Sequence, residues 1–132
     1  MQWLIDLIIE AIGIPPCYID RGDFLGDFEA IDAKLNAGTF QTVDFSSVVP
    51  AGAKAVVIRL RAQNTVAGES VEVQPFGTQE GPGHCSFEVT VANIICRRFI
   101  TVGVDADRKI KIRGTVVGLW SYGSISLRGW IL

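Results

Sequence analysis

The segment AVVIRLRA (residues 55–62) decides the fold class. Val56, Ile58 and Leu60 alternate with Arg59 and Arg61. A strand turns successive side chains to opposite faces, so this spacing gives one apolar face and one wet face. A helix would mix the two sets. The same period of two recurs along the chain. Val43 and Phe45 share a face of TFQTVDF, Val71 and Val73 point in from SVEVQ with Gln74 out, and SFEVTVA points Phe87, Val89 and Val91 in. FITVGV offers Ile100, Val102 and Val104, and RKIKIR sets Ile110 and Ile112 between Lys109, Lys111 and Arg113. In SISLRGWIL, Ile125, Leu127 and Ile131 fall on one side, with Trp130 facing away from them. Such alternation marks antiparallel strands with one solvated face.

The breaks between these runs carry turn chemistry. Val49-Pro50-Ala51-Gly52 is a Pro-then-Gly turn, and AGES, GPGH and DADR are further turn signals. About seven or eight strands at close spacing predict an all-β domain, an antiparallel β-sandwich or jelly roll. The stretch GDFEAIDAKLNAG (residues 26–38) reads as a long loop or a single helical turn ahead of the first main strand.

Residues 1–12 break the pattern. Gln2, Asp6 and Glu10 form one thin polar line, and Trp3, Leu4, Leu7, Ile8 and Ile12 help cover the rest of a helical cylinder. A helix apolar over most of its surface needs cover on several sides, from its own domain or from an assembly. Gly13 and the Pro15-Pro16 elbow end it. The chain thus divides into an N-terminal assembly or anchoring segment, residues 1–16, and a β-domain, residues 17–132. The N-terminal segment lacks a basic n-region and is too short to span a bilayer, so neither an export signal nor a membrane span is expected.

At 132 residues, with 48% hydrophobic and 20% charged, the chain has the composition of a single globular domain. A net charge of −2 gives no global case for nucleic acid. Cys17, Cys85 and Cys96 are widely spaced and odd in number, which favours reduced thiols over a disulfide framework. The single imidazole, His84, sits in a turn-rich stretch beside Cys85, and no acid, base and nucleophile converge. No catalytic residue, cofactor or metal ligand set is therefore assigned. Asp20, Asp23 and Asp27 lack the spacing of a calcium loop, and Asp105 and Asp107 read as turn residues. The basic line Arg108, Lys109, Lys111 and Arg113 reads as a charged edge or solvent face. Trp120, Tyr122 and Trp130 read as an aromatic group near the C-terminus, suited to a subunit contact, to a sugar or to closing the other sheet face.

Four words occur in order: YIDRGD, FQTVDFSSVVPAGAKAVVIRLRA, DADRKIKI and a closing RGW. Together they resemble a β-domain that recurs in structural proteins of tailed phages and prophages. The resemblance covers most of residues 18–132, is most distinctive at residues 49–57, and does not extend over residues 65–98. It implies a virion component: a capsid decoration (cement) protein or a domain of a fibre or tail appendage. It brings no catalytic residues. The expectation is a non-enzymatic decoration protein that forms a homotrimer, contacts the major capsid protein or other virion proteins, and is assembled in the host bacterial cytoplasm. The alternative is a carbohydrate- or receptor-binding head. Expected interface residues are Trp3, Leu4, Leu7, Ile8, Ile12, Arg21, Asp23, Trp120 and Trp130. The Arg21-Gly22-Asp23 tripeptide is then a structural word rather than an integrin ligand.

Overall fold

A computed structural model of the chain describes residues 18–21, 28–76 and 85–132. The elements in order are β1 (Tyr18–Asp20), β2 (Glu29–Ala30), α1 (Asp32–Asn36), β3 (Gln41–Asp44), β4 (Ala55–Asn64), β5 (Glu69–Pro75), β6 (Cys85–Val89), β7 (Cys96–Gly103), β8 (Lys109–Gly114) and β9 (Trp120–Ile131). They build two sheets. Sheet A runs β1-β9-β4-β7, with β2 also paired to β9, and sheet B runs β3-β8-β5-β6. Every pairing is antiparallel. From β3 onward the chain changes sheet at each connection except β5 to β6.

The alternation read from residues 55–62 is present: Val56, Ile58, Leu60 and Ala62 are buried and the residues between them are half-buried. They meet Val43, Val71, Val73, Phe87, Val89, Ile110 and Ile112 from sheet B in one core. Each fully buried aliphatic side chain contributes about 1.5–3 kcal/mol. The short helix α1 closes one end of this core with Ile31 and Leu35, and Phe28 lies 5.0 Å from Phe45 between ring centres. The expected turn within residues 26–38 is this helix.

Strand β9 departs from simple alternation. Val57 pairs with Gly129 but Ile58 pairs with Leu127, so Arg128 is an extra residue on β9. Gln63 pairs with Tyr122 but Asn64 pairs with Trp120, so Ser121 is a second extra residue. Each insertion reverses which face the next residues show. Ile125 and Leu127 therefore face the core in the middle block, and Trp130, opposite buried Val56, faces it in the last block. This overturns the expectation that Trp130 faces away from Ile125 and Leu127. It is Ile131, opposite Ala55, that leaves their side.

Other differences are local. Gln74, expected on the wet side, is only 1% exposed in the middle of sheet B, opposite Lys111. Strand β6 stops at Val89, and Val91 lies beyond it, exposed in the β6–β7 connection. Lys109, Lys111 and Arg113 line β8, which lies between β3 and β5 and is not an edge. Their charges rest on neighbours instead: Arg113 meets Glu72 at 2.5 Å and sits 4.3 Å from the Phe40 ring, and Lys109 lies 5.4 Å from the Phe76 ring. The expected helix of residues 1–12, with Trp3, Leu4, Leu7, Ile8 and Ile12, and the residues Gly22 and Asp23 lie outside the described residues, as does His84.

At the far end of the sandwich Asp44 accepts a hydrogen bond from the Ser46 N–H at 2.8 Å. Hydrogen bonding from the Ser46 backbone, then from its side chain, holds the Asp44 carboxyl below the ordinary aspartate range. A folded-state value below the unfolded one adds stability above the unfolded value, and that increment is lost as pH falls through the folded value. Unfolding midpoints measured across the acid range should therefore fall less steeply in Asp44→Asn than in the parent.

Two glycines on the inner faces let α1 and Trp120 approach. A Cβ at Gly114 would lie 2.5 Å from Trp120 Nε1 and 2.7 Å from the Leu35 carbonyl oxygen, and one at Gly123 would lie 2.9 Å from Leu35 Cδ1. Gly114→Ala should lower stability by about 1–3 kcal/mol in chemical denaturation, because backbone as well as side chain must move. A midpoint unchanged from the parent would show that α1 is not seated as described.

Candidate functional site

The connections 65–68, 90–95 and 115–119 meet at one end of the sandwich, beside the α1–β3 connection. Asn64, fully buried at the end of β4, ties three of them together. Its backbone carbonyl accepts from the Asn93 N–H at 2.8 Å. Its side-chain oxygen accepts from the Val66 N–H at 2.8 Å, and its amide donates to the Val117 carbonyl at 3.4 Å. Thr65 adds a second tie: its N–H donates to the Leu119 carbonyl at 3.1 Å and its hydroxyl accepts from the Leu119 N–H at 2.9 Å. A second amide, Asn36, works like a strand edge. It donates to the Trp120 carbonyl and accepts from the Trp120 N–H, both at 2.9 Å.

These ties hold the connections in place while their apolar side chains face outward. Val116 is 77% exposed, and Val66, Val91, Ile94, Ile95, Val117 and Leu119 are exposed as well. Single exposed aliphatics are ordinary, but here several gather on connections tied to one another at one end of the sandwich. Beside it opens a cleft of about 550 Å³, lined by Gly68, Glu69, Glu72, Arg113, Thr115, Val116 and Val117 among others. Thr115 donates its hydroxyl to Glu69, and Arg113 donates to Glu72 at 2.5 and 3.1 Å. The cleft thus offers carboxylates, a guanidinium and a hydroxyl beside a valine wall. Among the described residues, its lining includes no histidine or cysteine. Among the described residues no group of three or more His, Cys, Asp and Glu is placed to hold a metal ion.

The expected interface residues are scattered. Trp120 is 1% exposed, with its indole N–H on the Thr115 carbonyl at 3.0 Å, so it is a core residue and not an outward aromatic. Trp130 is half-buried against the core at the opposite end of β9. The two tryptophans therefore do not form one patch. Arg21 is exposed and its N–H bonds to the Arg128 carbonyl at 2.9 Å, while Asp20 pairs with Arg128 at 3.5 Å. Sequence reasoning missed the loop end, because Val116, Val117 and Leu119 show no strand period and their exposure depends on how the loops meet. Their signal was an apolar run, TVVGLW (residues 115–120), placed in a turn rather than a strand.

No protein-family model matches the chain, and no curated protein sequence matches it.

Asn64→Ala removes the side-chain ties and leaves the part-buried Val66 N–H and Val117 carbonyl without them, each costing up to about 1 kcal/mol. The expected result is a lower melting temperature with loss of hydrogen-exchange protection at the Val66 amide before the core amide of Val71. Equal protection at both sites in the variant would show that Asn64 does not fasten the loops.

Proposed function

We propose that this protein is a structural component of a tailed-phage virion, a capsid decoration protein that oligomerises and stabilises the shell. The observation that carries the reading is the apolar loop end, where Val116, Ile94, Leu119 and their neighbours face outward on connections fastened by Asn64. A rigid apolar surface of that kind fits permanent contact with other protein better than it fits turnover of a substrate. The strand orders β1-β9-β4-β7 and β3-β8-β5-β6 fit a jelly roll in which β1 and β2 together take the place of one edge strand. Jelly rolls are used in viral capsids and in lectins, so the fold supports the reading without fixing it. The resemblance of most of residues 18–132, apart from residues 65–98, to phage structural domains points the same way. A closed trimer at a threefold position is the assembly proposed.

The cleft favours a second reading, a carbohydrate- or receptor-binding head of a fibre or tail appendage. Glu69, Glu72, Arg113 and Thr115 supply acceptors and donors of the kind that hold sugar hydroxyls. With Trp120 in the core, the sugar contact in this reading moves from the C-terminal aromatics to the cleft.

Light scattering on the purified chain, followed by sedimentation with empty phage shells, tests the first reading. The expected result is an oligomer that co-sediments with shells, and a Val116→Asp/Ile94→Asp variant that keeps its melting temperature but loses one or both associations. A stable monomer that ignores the shells and binds glycans on an array would replace the first reading with the second.

A further inference from the structure

Charge is divided unevenly between the two sheets. Strands β4, β7 and β9 carry five arginines, Arg59, Arg61, Arg97, Arg98 and Arg128, and no carboxylate. Among the described residues, sheet A's carboxylates lie only on its short strands, Asp20 on β1 and Glu29 on β2, whereas sheet B carries Asp44, Glu69, Glu72 and Glu88 along with Lys109, Lys111 and Arg113. Within sheet A, Arg59 and Arg61 donate to Ser126 and Ser124 at 3.3 Å, and Arg128 meets Asp20. Arg97 and Arg98 stand exposed on β7, where Arg98 donates to the Ser86 carbonyl at 3.3 Å.

Strand β7 is the end of sheet A. Among the described residues, β4 is the strand it pairs with, and no strand lies along its other edge. It is eight residues long and its register with β4 runs without a slip. A straight edge of that length is a template for another extended chain. Its outer side presents Arg97, Phe99 and Thr101, opposite Arg61, Arg59 and Val57 of β4, and Phe99 is 56% exposed. An arginine pair disfavours a second basic edge and favours an acidic one.

We propose that the free edge of β7 is a docking site for an extended acidic segment of a partner protein, added to sheet A as a further strand. Backbone hydrogen bonds along β7 hold the segment. Its Asp or Glu residues on the outer side meet Arg97, and an apolar or aromatic residue on the same side packs on Phe99, while Arg98 points to the inner side and holds the Ser86 carbonyl. This site adjoins the apolar loop end, whose Ile95 precedes β7, but it does not depend on the virion reading. A single-stranded nucleic acid could use the same cations and stack on Phe99, but it would leave the backbone edge unused.

The test is a titration of the 15N-labelled full chain, followed by NMR, with a synthetic eight-residue peptide that alternates Glu with Val and carries one central Phe. Amide shifts are expected along residues 96–103, with binding weakened about tenfold or more when Lys replaces Glu in the peptide. N-methylation of alternate peptide nitrogens should abolish the shifts. An Arg97→Glu variant should reverse the preference and bind the Lys peptide. Arg97→Gln, a milder change, should weaken the Glu peptide without that reversal. Equal binding of Glu and Lys peptides, undiminished binding of the N-methylated peptide, shifts that avoid β7, or tighter binding of an oligothymidylate would each overturn the proposal.

Discussion

The pairing of β4 with β9 holds the molecule together. These are the two long strands at the centre of sheet A, and β1, β2 and β7 are attached to them. The register between them places Ile58 opposite Leu127 and Leu60 opposite Ile125, so both strands feed the same core. A slip of one residue in that middle block would turn Ile125 and Leu127 outward, at a cost of about 3–6 kcal/mol for the pair. That penalty is large against the typical stability of a small domain. It locks the central register, and the mismatch in strand length is absorbed by the extra residues Ser121 and Arg128.

From that spine the two ends take different characters. At the far end, backbone N–H groups tie the connections: Lys54 donates to the Ile131 carbonyl, Val104 to the Lys54 carbonyl, and Asp107 to the Asp105 side chain. At the near end, two asparagine amides replace missing strand neighbours. Asn36 pairs with the backbone of Trp120, and Asn64 binds connections from three parts of the chain. A buried amide that is fully engaged stiffens its surroundings, whereas one left unpaired costs free energy. Their polar ties let the loops be firm without burying their own aliphatic side chains. Rigidity and exposed apolar surface can therefore coexist there.

Much of the fold was legible in the sequence where one physical rule acted alone. Val56, Ile58 and Leu60 against Arg59 and Arg61 left no other reading, and Ile110 and Ile112 between basic residues left none either. The Pro50-Ala51-Gly52 turn announced itself through its backbone preferences. Strand β9 was misread because an extra residue changes the backbone and leaves no mark on hydrophobicity. Trp130 looked outward only as long as Arg128 was counted in step. The place of β8 inside sheet B was also hidden, since a row of Lys and Arg looks the same on an edge and on a broad solvated face. The candidate site was the least legible part. It is made of connections brought together by strand order, and no local pattern in Val116, Val117 or Leu119 tells which other loops lie beside them.

The two extra residues in β9 act like a pair of frame shifts in one sentence. The strand has three phases: Trp120 before the first shift, residues 122–127 between them, and residues 129–131 after the second. Inward positions are even-numbered in the outer phases and odd-numbered in the middle one. A rule of conservation counted straight along the strand would pair the wrong columns. Comparison of this chain with any descendant should therefore allow single-residue gaps at 121 and 128. Gain or loss of a residue at either place rewrites the facing of one block and leaves the other two readable.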